Sequence, residues 1–308
     1  MKTKKPSYLK KSFGEKIFDF FNILLFLLLT IMFVYPFINV LVVSLNEPYD
    51  AMRGGLYLWP RKFSFENYKM VLSDPSIYNA YMITIARTLI GTITHVFCTA
   101  IFAYGLSKNE LMFRKFYLII CTIPMFFGGG LIPSFLLIRS LGLVNSFWVY
   151  IIPGLISVWH MLIMKSFYKG IPDSLEEAAK IDGCSDFKIF FRIVAPLSFS
   201  CFAAIALFKG VEHWNSWFDA YIYVNDEKLL PMQTILMRII NQSASNQMPL
   251  ARGTAEAASQ STGGESKEVT PESIRYATMI ISIGPIILIY PFLQKYFVKG
   301  VLIGSVKG

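Results

Sequence analysis

The chain has 308 residues, of which 54% are hydrophobic and only 16% charged, and its mean hydropathy is +0.50. That is too apolar for an ordinary soluble domain and points to a membrane protein. The net charge of +9 does not indicate nucleic acid, because Lys and Arg sit between long apolar runs instead of gathering on one soluble face, and the four cysteines lack the spacing of a zinc or disulfide framework.

A bilayer core of about 30 Å needs roughly 20 apolar residues in a helix, the element that satisfies its own backbone in lipid. In chain order, a basic segment 1–19 precedes the first apolar run, Phe20–Leu45. Its lysines (Lys2, Lys4, Lys5, Lys10, Lys11) imitate a signal peptide, but the run is too long and has no small-residue cleavage site, so it reads as an uncleaved span. After segment 46–77 comes Tyr78–Leu106, which carries Arg87. Phe116–Ile138 and Phe147–Met164 contain no charge, and Gly128-Gly129-Gly130 within the former reads as a helix break or a close packing point. The last two spans are Leu197–Trp217, with Lys209 and Glu212, and the uncharged Tyr276–Leu293. Cys98, Cys121, Cys184 and Cys201 fall in or beside these runs and read as small packing residues.

Basic residues are retained on the cytoplasmic side. With the N-terminus inside, the inner segments 1–19, 107–115, 165–196 and 294–308 hold 17 Lys and Arg, against 10 in the outer segments, although the outer ones are longer in total. The expectation is therefore an all-α membrane protein of six transmembrane helices with both termini cytoplasmic. A six-span domain, 20–293, lies between a cytoplasmic segment, 1–19, and a cytoplasmic tail, 294–308. The outer loop 218–275 contains Ala255–Glu268, a Ser/Gly/Ala/Glu tract too poor in large apolar residues to fold alone, which reads as a mobile loop.

Polar residues inside spans usually face a cavity or a partner. Arg87 lies well below the outer end of its span, deep enough for a pathway or a subunit interface, with snorkelling as the alternative. Lys209, Glu212 and His213 share one helical side, which either lines a pathway or closes on itself as a Lys209–Glu212 ion pair. Trp214, Asn215, Trp217 and Asp219 offer the aromatic faces and hydrogen-bonding groups a sugar requires, although tryptophan is also a normal interface anchor. His95 and His160 are isolated on apolar spans and suit helix-to-helix hydrogen bonding better than a metal.

The inner segment 165–196 has its own helix punctuation. Ser174 with Glu177 three residues later forms a capping box, with Asp173 as an alternative cap, and Gly183 ends the helix after about two turns. A second short helix runs from about Asp186 to Val194 and stops at Pro196. Two short helices then meet at an angle on the cytoplasmic face. Ala178 and Ala179 leave a shallow surface for another protein, and Glu177 offers a carboxylate to its cations.

The string Glu177-Ala178-Ala179, three residues, Gly183, nine residues, Ile193-Val194-Ala195-Pro196 resembles the EAA signature of permease subunits of binding-protein-dependent ABC importers, with Ala195 where leucine is usual. Gly55-Leu56-Tyr57-Leu58-Trp59-Pro60, Phe65-Glu66-Asn67-Tyr68 and His213-Trp214-Asn215-Ser216-Trp217 are similar to the smaller permease of the maltose branch. The resemblance implies a type I importer permease whose coupling helix sits in a cleft of an ATPase subunit. By that implication Glu177, Ala178, Ala179, Asp182, Gly183, Ile193 and Pro196, within element 170–196, form the ATPase-coupling site. Arg87, Lys209, Glu212, His213, Trp214 and Asn215 are the candidate pathway residues. The implied partners are ABC ATPase subunits, a second homologous permease, an extracytoplasmic solute-binding protein and membrane lipid, with no nucleic acid. No cofactor or metal is expected in this chain, which is not an enzyme, since ATP and Mg would be bound by the ATPase subunit. A sugar or oligosaccharide is the implied cargo, with a non-sugar solute as the alternative. An ion-coupled secondary transporter is the rival class, but neither an internal repeat nor an acidic residue centred in a span supports it.

Overall fold

A computed structural model of the chain describes residues 12–51, 53–55, 58–246 and 273–288. The Ala255–Glu268 tract, the N-terminal lysines and the tail 294–308 lie outside the described residues. Helices dominate and no strand occurs among the described residues, apart from a single β-bridge between Asn46 and Phe63. The chain divides into two units, residues 1–70 with 265–280, and residues 71–264 with 281–308.

In the first unit, α1 (Phe13–Ser44) is an apolar helix of 32 residues. Its start is closed by Glu15, whose carboxylate accepts from the Ser12 backbone N–H at 2.8 Å. Helix α2 (Pro48–Ala51) follows, and α3 begins at Glu66 (Glu66–Ser73). The last carbonyls of a helix have no intrahelical partner, and here the buried Asn67 amide donates to Ser44 O and Asn46 O, both at 3.0 Å. Tyr68 shares a 2.7 Å hydrogen bond with the Ser44 hydroxyl. The Phe65-Glu66-Asn67-Tyr68 string thus has a local structural use, closing the end of α1. Asp50 is held below the ordinary carboxylate range by the amide of Asn46 and, against the effect of burial, by Arg61 at 2.8 Å.

In the second unit, α4 (Pro75–Ser107) runs 33 residues without a break. Asp74 caps it, accepting from Ser76 N at 2.8 Å, and Pro75 occupies the first turn, where its missing N–H costs nothing. The expected span Phe116–Ile138 is not one helix. It is α5 (Arg114–Phe126) and α6 (Leu131–Ser140), bent by 120° across the triple glycine, where Gly130 has φ +86°. The helix-break reading of those glycines holds. Phe147–Met164 starts as two 3-10 turns, Phe147–Tyr150 and Ile152–Gly154, and turns by 47° into α7 (Val158–Tyr168), because Pro153 and Gly154 interrupt regular hydrogen bonding.

The inner segment forms α8 (Asp173–Ile181), α9 (Asp186–Ile189), a π turn (Phe190–Val194) and α10 (Ala195–Leu197). A bend of 79° leads into α11 (Phe199–Asn215), followed by α12 (Phe218–Tyr223), α13 (Met232–Asn246) and α14 (Ser273–Leu288). Among the described residues two helices, α1 and α4, are long and apolar enough to span a membrane, and up to five spans result if each bent pair counts as one. The core of the second unit packs α4, α7, α9 and α11 through Ala103, Met161, Met164, Ile189 and Ile205, and takes in Cys201, with Cys121 and Cys184 at its edge.

Candidate functional site

Two regions gather the sequence-derived candidates. The first is a cavity of about 420 Å³ lined by residues of α4, α6, α11 and α12 and of the 3-10 turns. Arg87, Lys209, Glu212 and His213 all line it, the last three from the one side of α11 that their spacing defines. Arg87 is 1% exposed and does not snorkel. Its guanidinium grips Asp219 with Nη2–Oδ2 at 2.5 Å and Nη1–Oδ1 at 3.3 Å, and its carbon lies 4.3 Å above the Tyr150 ring. A buried guanidinium demands such a partner. Lys209 donates to Glu212 at 2.8 Å, so the ion-pair alternative is realised while both residues also line the cavity. The lysine is nearly hidden and the carboxylate is 62% exposed.

Close helix packing makes room for these groups. At Gly91 a Cβ would stand 2.4 Å from His213 Nε2, so only glycine admits the imidazole between α4 and α11. At Gly154 a Cβ would meet Lys209 Nζ at 3.3 Å. Behind the cavity wall His95 Nδ1 is 2.7 Å from Gly154 O, and its Nε2 is 2.9 Å from His160 Nδ1. A carbonyl only accepts, so in the neutral pair His95 donates from Nδ1 and receives at Nε2 from His160. This is the helix-to-helix hydrogen bond expected of the two histidines.

Trp214 and Asn215 are not brought to the cavity. Trp214 Nε1 donates to Ser282 O at 3.2 Å and its ring borders an apolar groove, while Asn215 Nδ2 donates back to Val211 O at 3.0 Å. Both follow from helix geometry, which turns residues 214 and 215 away from the side of 209, 212 and 213. Ser216 continues the side of Lys209, Glu212 and His213 by spacing, whereas Tyr150 and Tyr223 join the lining without a sequence signal.

The second region is the α8–α10 segment. Gly183 has φ +73° and ends α8 in the left-handed geometry expected of it. The capping expectation is corrected: the helix starts at Asp173 with Pro172 at the cap position, and no side-chain cap bond forms, so Ser174 lies inside the first turn. The two alanines of the segment are placed differently. Ala178 is exposed, but Ala179 is buried in the core of its own unit, leaving Glu177, Ala178, Ile181 and Asp182 as the outward face. Ile193 is half-buried, and Pro196 lies exposed within α10 rather than ending the helix. Lys108, which follows the last residue of α4, donates to Glu176 of α8. Burial pulls the Lys108 ammonium down, but its hydrogen bonds with Glu176 and Tyr104 outweigh this and hold it above its ordinary value.

Known proteins resemble the chain over nearly its whole length. The polygalacturonan/rhamnogalacturonan transport system permease protein YtcP of Bacillus subtilis is 36% identical, over 96% of this chain and 99% of its own. The arabinooligosaccharides transport system permease protein AraQ of Bacillus subtilis is 27% identical, over 92% of this chain and 94% of its own. Among solved structures, a bacterial ABC transporter involved in the import of the acidic polysaccharide alginate superposes with a TM-score of 0.83 at 28% identity, covering 94% of this chain and 99% of that one. The family model described as binding-protein-dependent transport system inner membrane component matches residues 95–303, and the chain belongs to that family of membrane-embedded transport subunits.

Proposed function

We propose that this chain is one of two homologous permease subunits of an ATP-driven importer, and that it passes a sugar or oligosaccharide inward by alternating access. The cargo class rests on the carbohydrate names carried by its relatives. An extracytoplasmic binding protein delivers the solute, and separate ATPase subunits hold ATP and Mg. Six spans of the domain 20–293 cross the membrane with both termini cytoplasmic. The outer loop 218–275 faces the binding protein, and the element 170–196 faces the ATPase.

The observation that carries the reading is the outward face of α8, closed by the left-handed turn at Gly183. A short exposed helix with a fixed exit angle suits a cleft in another protein, where Glu177 meets a cation and Ala178 permits close approach. Asp182, Ile193 and Pro196 complete the coupling element. In the reconstituted complex, Glu177→Gln should keep the helix and weaken the contact. Gly183→Val should misdirect the second helix, because a β-branched residue at positive φ is strained by about 1–2 kcal/mol or more. Both variants should lose solute-stimulated ATP hydrolysis, and the valine variant should release its ATPase subunits more readily. Native stimulation in both would remove the coupling role. Single cysteines at Ile181 and Ser259, in a background free of the native four, should react with an impermeant reagent from the inside and the outside respectively. Reaction of both from one side would overturn the topology.

A further inference from the structure

Two ion pairs join α8 to the turn after α4, and their signs are crossed. Glu176 and Lys180 stand one turn apart on α8. Glu176 meets Lys108, and Lys180 meets Glu110 at 3.5 Å. Negative then positive on the helix faces positive then negative on the turn, a pattern that specifies one register and repels a shifted one. The turn is itself braced: Arg114 Nε donates to Leu106 O at 3.0 Å and Nη1 to Asn109 Oδ1 at 2.7 Å. Lys108 Nζ also lies 4.2 Å above the Tyr104 ring, beside a cavity of about 380 Å³ bordered by Phe187 and Phe190. The Lys108–Glu176 pair is 21% and 22% exposed and thus half-sheltered from water, whereas Glu110 is open to solvent.

The connection matters because of what lies at the far part of α4. That helix is 33 residues long, a rod of about 50 Å, and carries Arg87 into the polar cavity. Among the described residues the other routes from this segment to the cavity are interrupted, α11 by the 79° bend and α7 by the 47° bend. Through α4, movement of α8 can reach the cavity along one unbroken helix.

We propose that Lys108–Glu176 and Glu110–Lys180 form a two-point ionic clamp that delivers displacement of α8 to α4, and thereby to the Arg87 side of the cavity. The four are positioning residues, with Lys108–Glu176 dominant. The clamp rests on the coupling role proposed for α8, and its test separates the two ideas.

The complete complex, with cognate binding protein and free of native cysteines, carries one cysteine at Ser134 in the cavity wall and is trapped with ATP, Mg and vanadate. Trapping should change maleimide labelling at that cysteine by about tenfold, the scale of ordinary site-to-site coupling. Lys108→Glu and Glu176→Lys should each cut that change to about twofold or less with the ATPase subunits still bound. The double reversal should restore most of it, and Lys108→Arg should retain it. Reversal at Glu110 or Lys180 should give a smaller loss, as an exposed pair implies. The clamp is overturned if the double reversal labels no better than the singles. It is also overturned if the single reversals respond natively while Gly183→Val abolishes the response, an outcome that leaves the coupling role of α8 standing. A native response in Gly183→Val and Glu177→Gln as well would remove both.

Discussion

Helices α1 and α4 are nearly equal in length, 32 and 33 residues, and both are apolar enough to span a membrane, yet they differ in how they are used. None of the most apolar stretch of α1 is buried, while 39% of that of α4 is. Along α1, Phe20, Phe26, Ile31 and Phe33 are all exposed, and the helix contributes little to the interior. Along α4, Thr84, Arg87, Gly91, His95 and Thr99 follow one another on a buried side. The difference teaches that the polar residues of a span, more than its length, report whether it faces the protein. A polar group in hydrocarbon has no water to return to, so it is buried against a partner.

The comparison breaks most readily at the Arg87–Asp219 pair. Asp219→Leu would strand a guanidinium that is 1% exposed, and removal of one member of a buried pair costs about 3–5 kcal/mol. Thermal melting of the purified complex should show a large loss, and Arg87→Leu combined with Asp219→Leu should recover most of it. If the single variant melted like the native protein, the interior of α4 would not depend on its polar residues.

A smaller effect is expected where the backbone itself yields space. Gly91→Ala would set a Cβ against the His213 ring and should destabilise by about 1–3 kcal/mol, as overpacking does. Adding His213→Ala should relieve the clash, and the double-mutant cycle by melting measures that relief. Absence of coupling between the two sites would mean that the close approach of α4 and α11 is dispensable.

The smallest effect belongs to α1. Phe26 is 61% exposed, and Phe26→Ala should shift stability by no more than about 0.5 kcal/mol in the isolated chain. A larger loss seen only in the assembled complex would sharpen the contrast, since it would show that a partner subunit covers this apolar side.

Much of the cavity was legible because helix geometry is local. Lys209, Glu212 and His213 fall on one side by spacing alone, and the structure brings all three to the cavity. The same rule, applied one step further, turns Trp214 and Asn215 away from it, because neighbours in a contiguous string do not share a helical face. The glycine that ends α8 was legible for the same reason, since left-handed geometry is a property of one residue.

What the sequence by itself determined is therefore the apolar runs, the polar sides and the turn at Gly183, each fixed by interactions within a few residues. Only the tertiary structure decided that Arg87 is answered by Asp219, that Gly91 makes room for His213, that Lys108 meets Glu176, and that Ala179 is turned inward while Ala178 is left outside. The break of the third apolar run into α5 and α6 stands between the two cases: the glycines signalled a break, but its 120° angle is set elsewhere. Such pairings join residues distant in the chain, and they depend on which helices come close enough to exclude lipid and water from the groups between them.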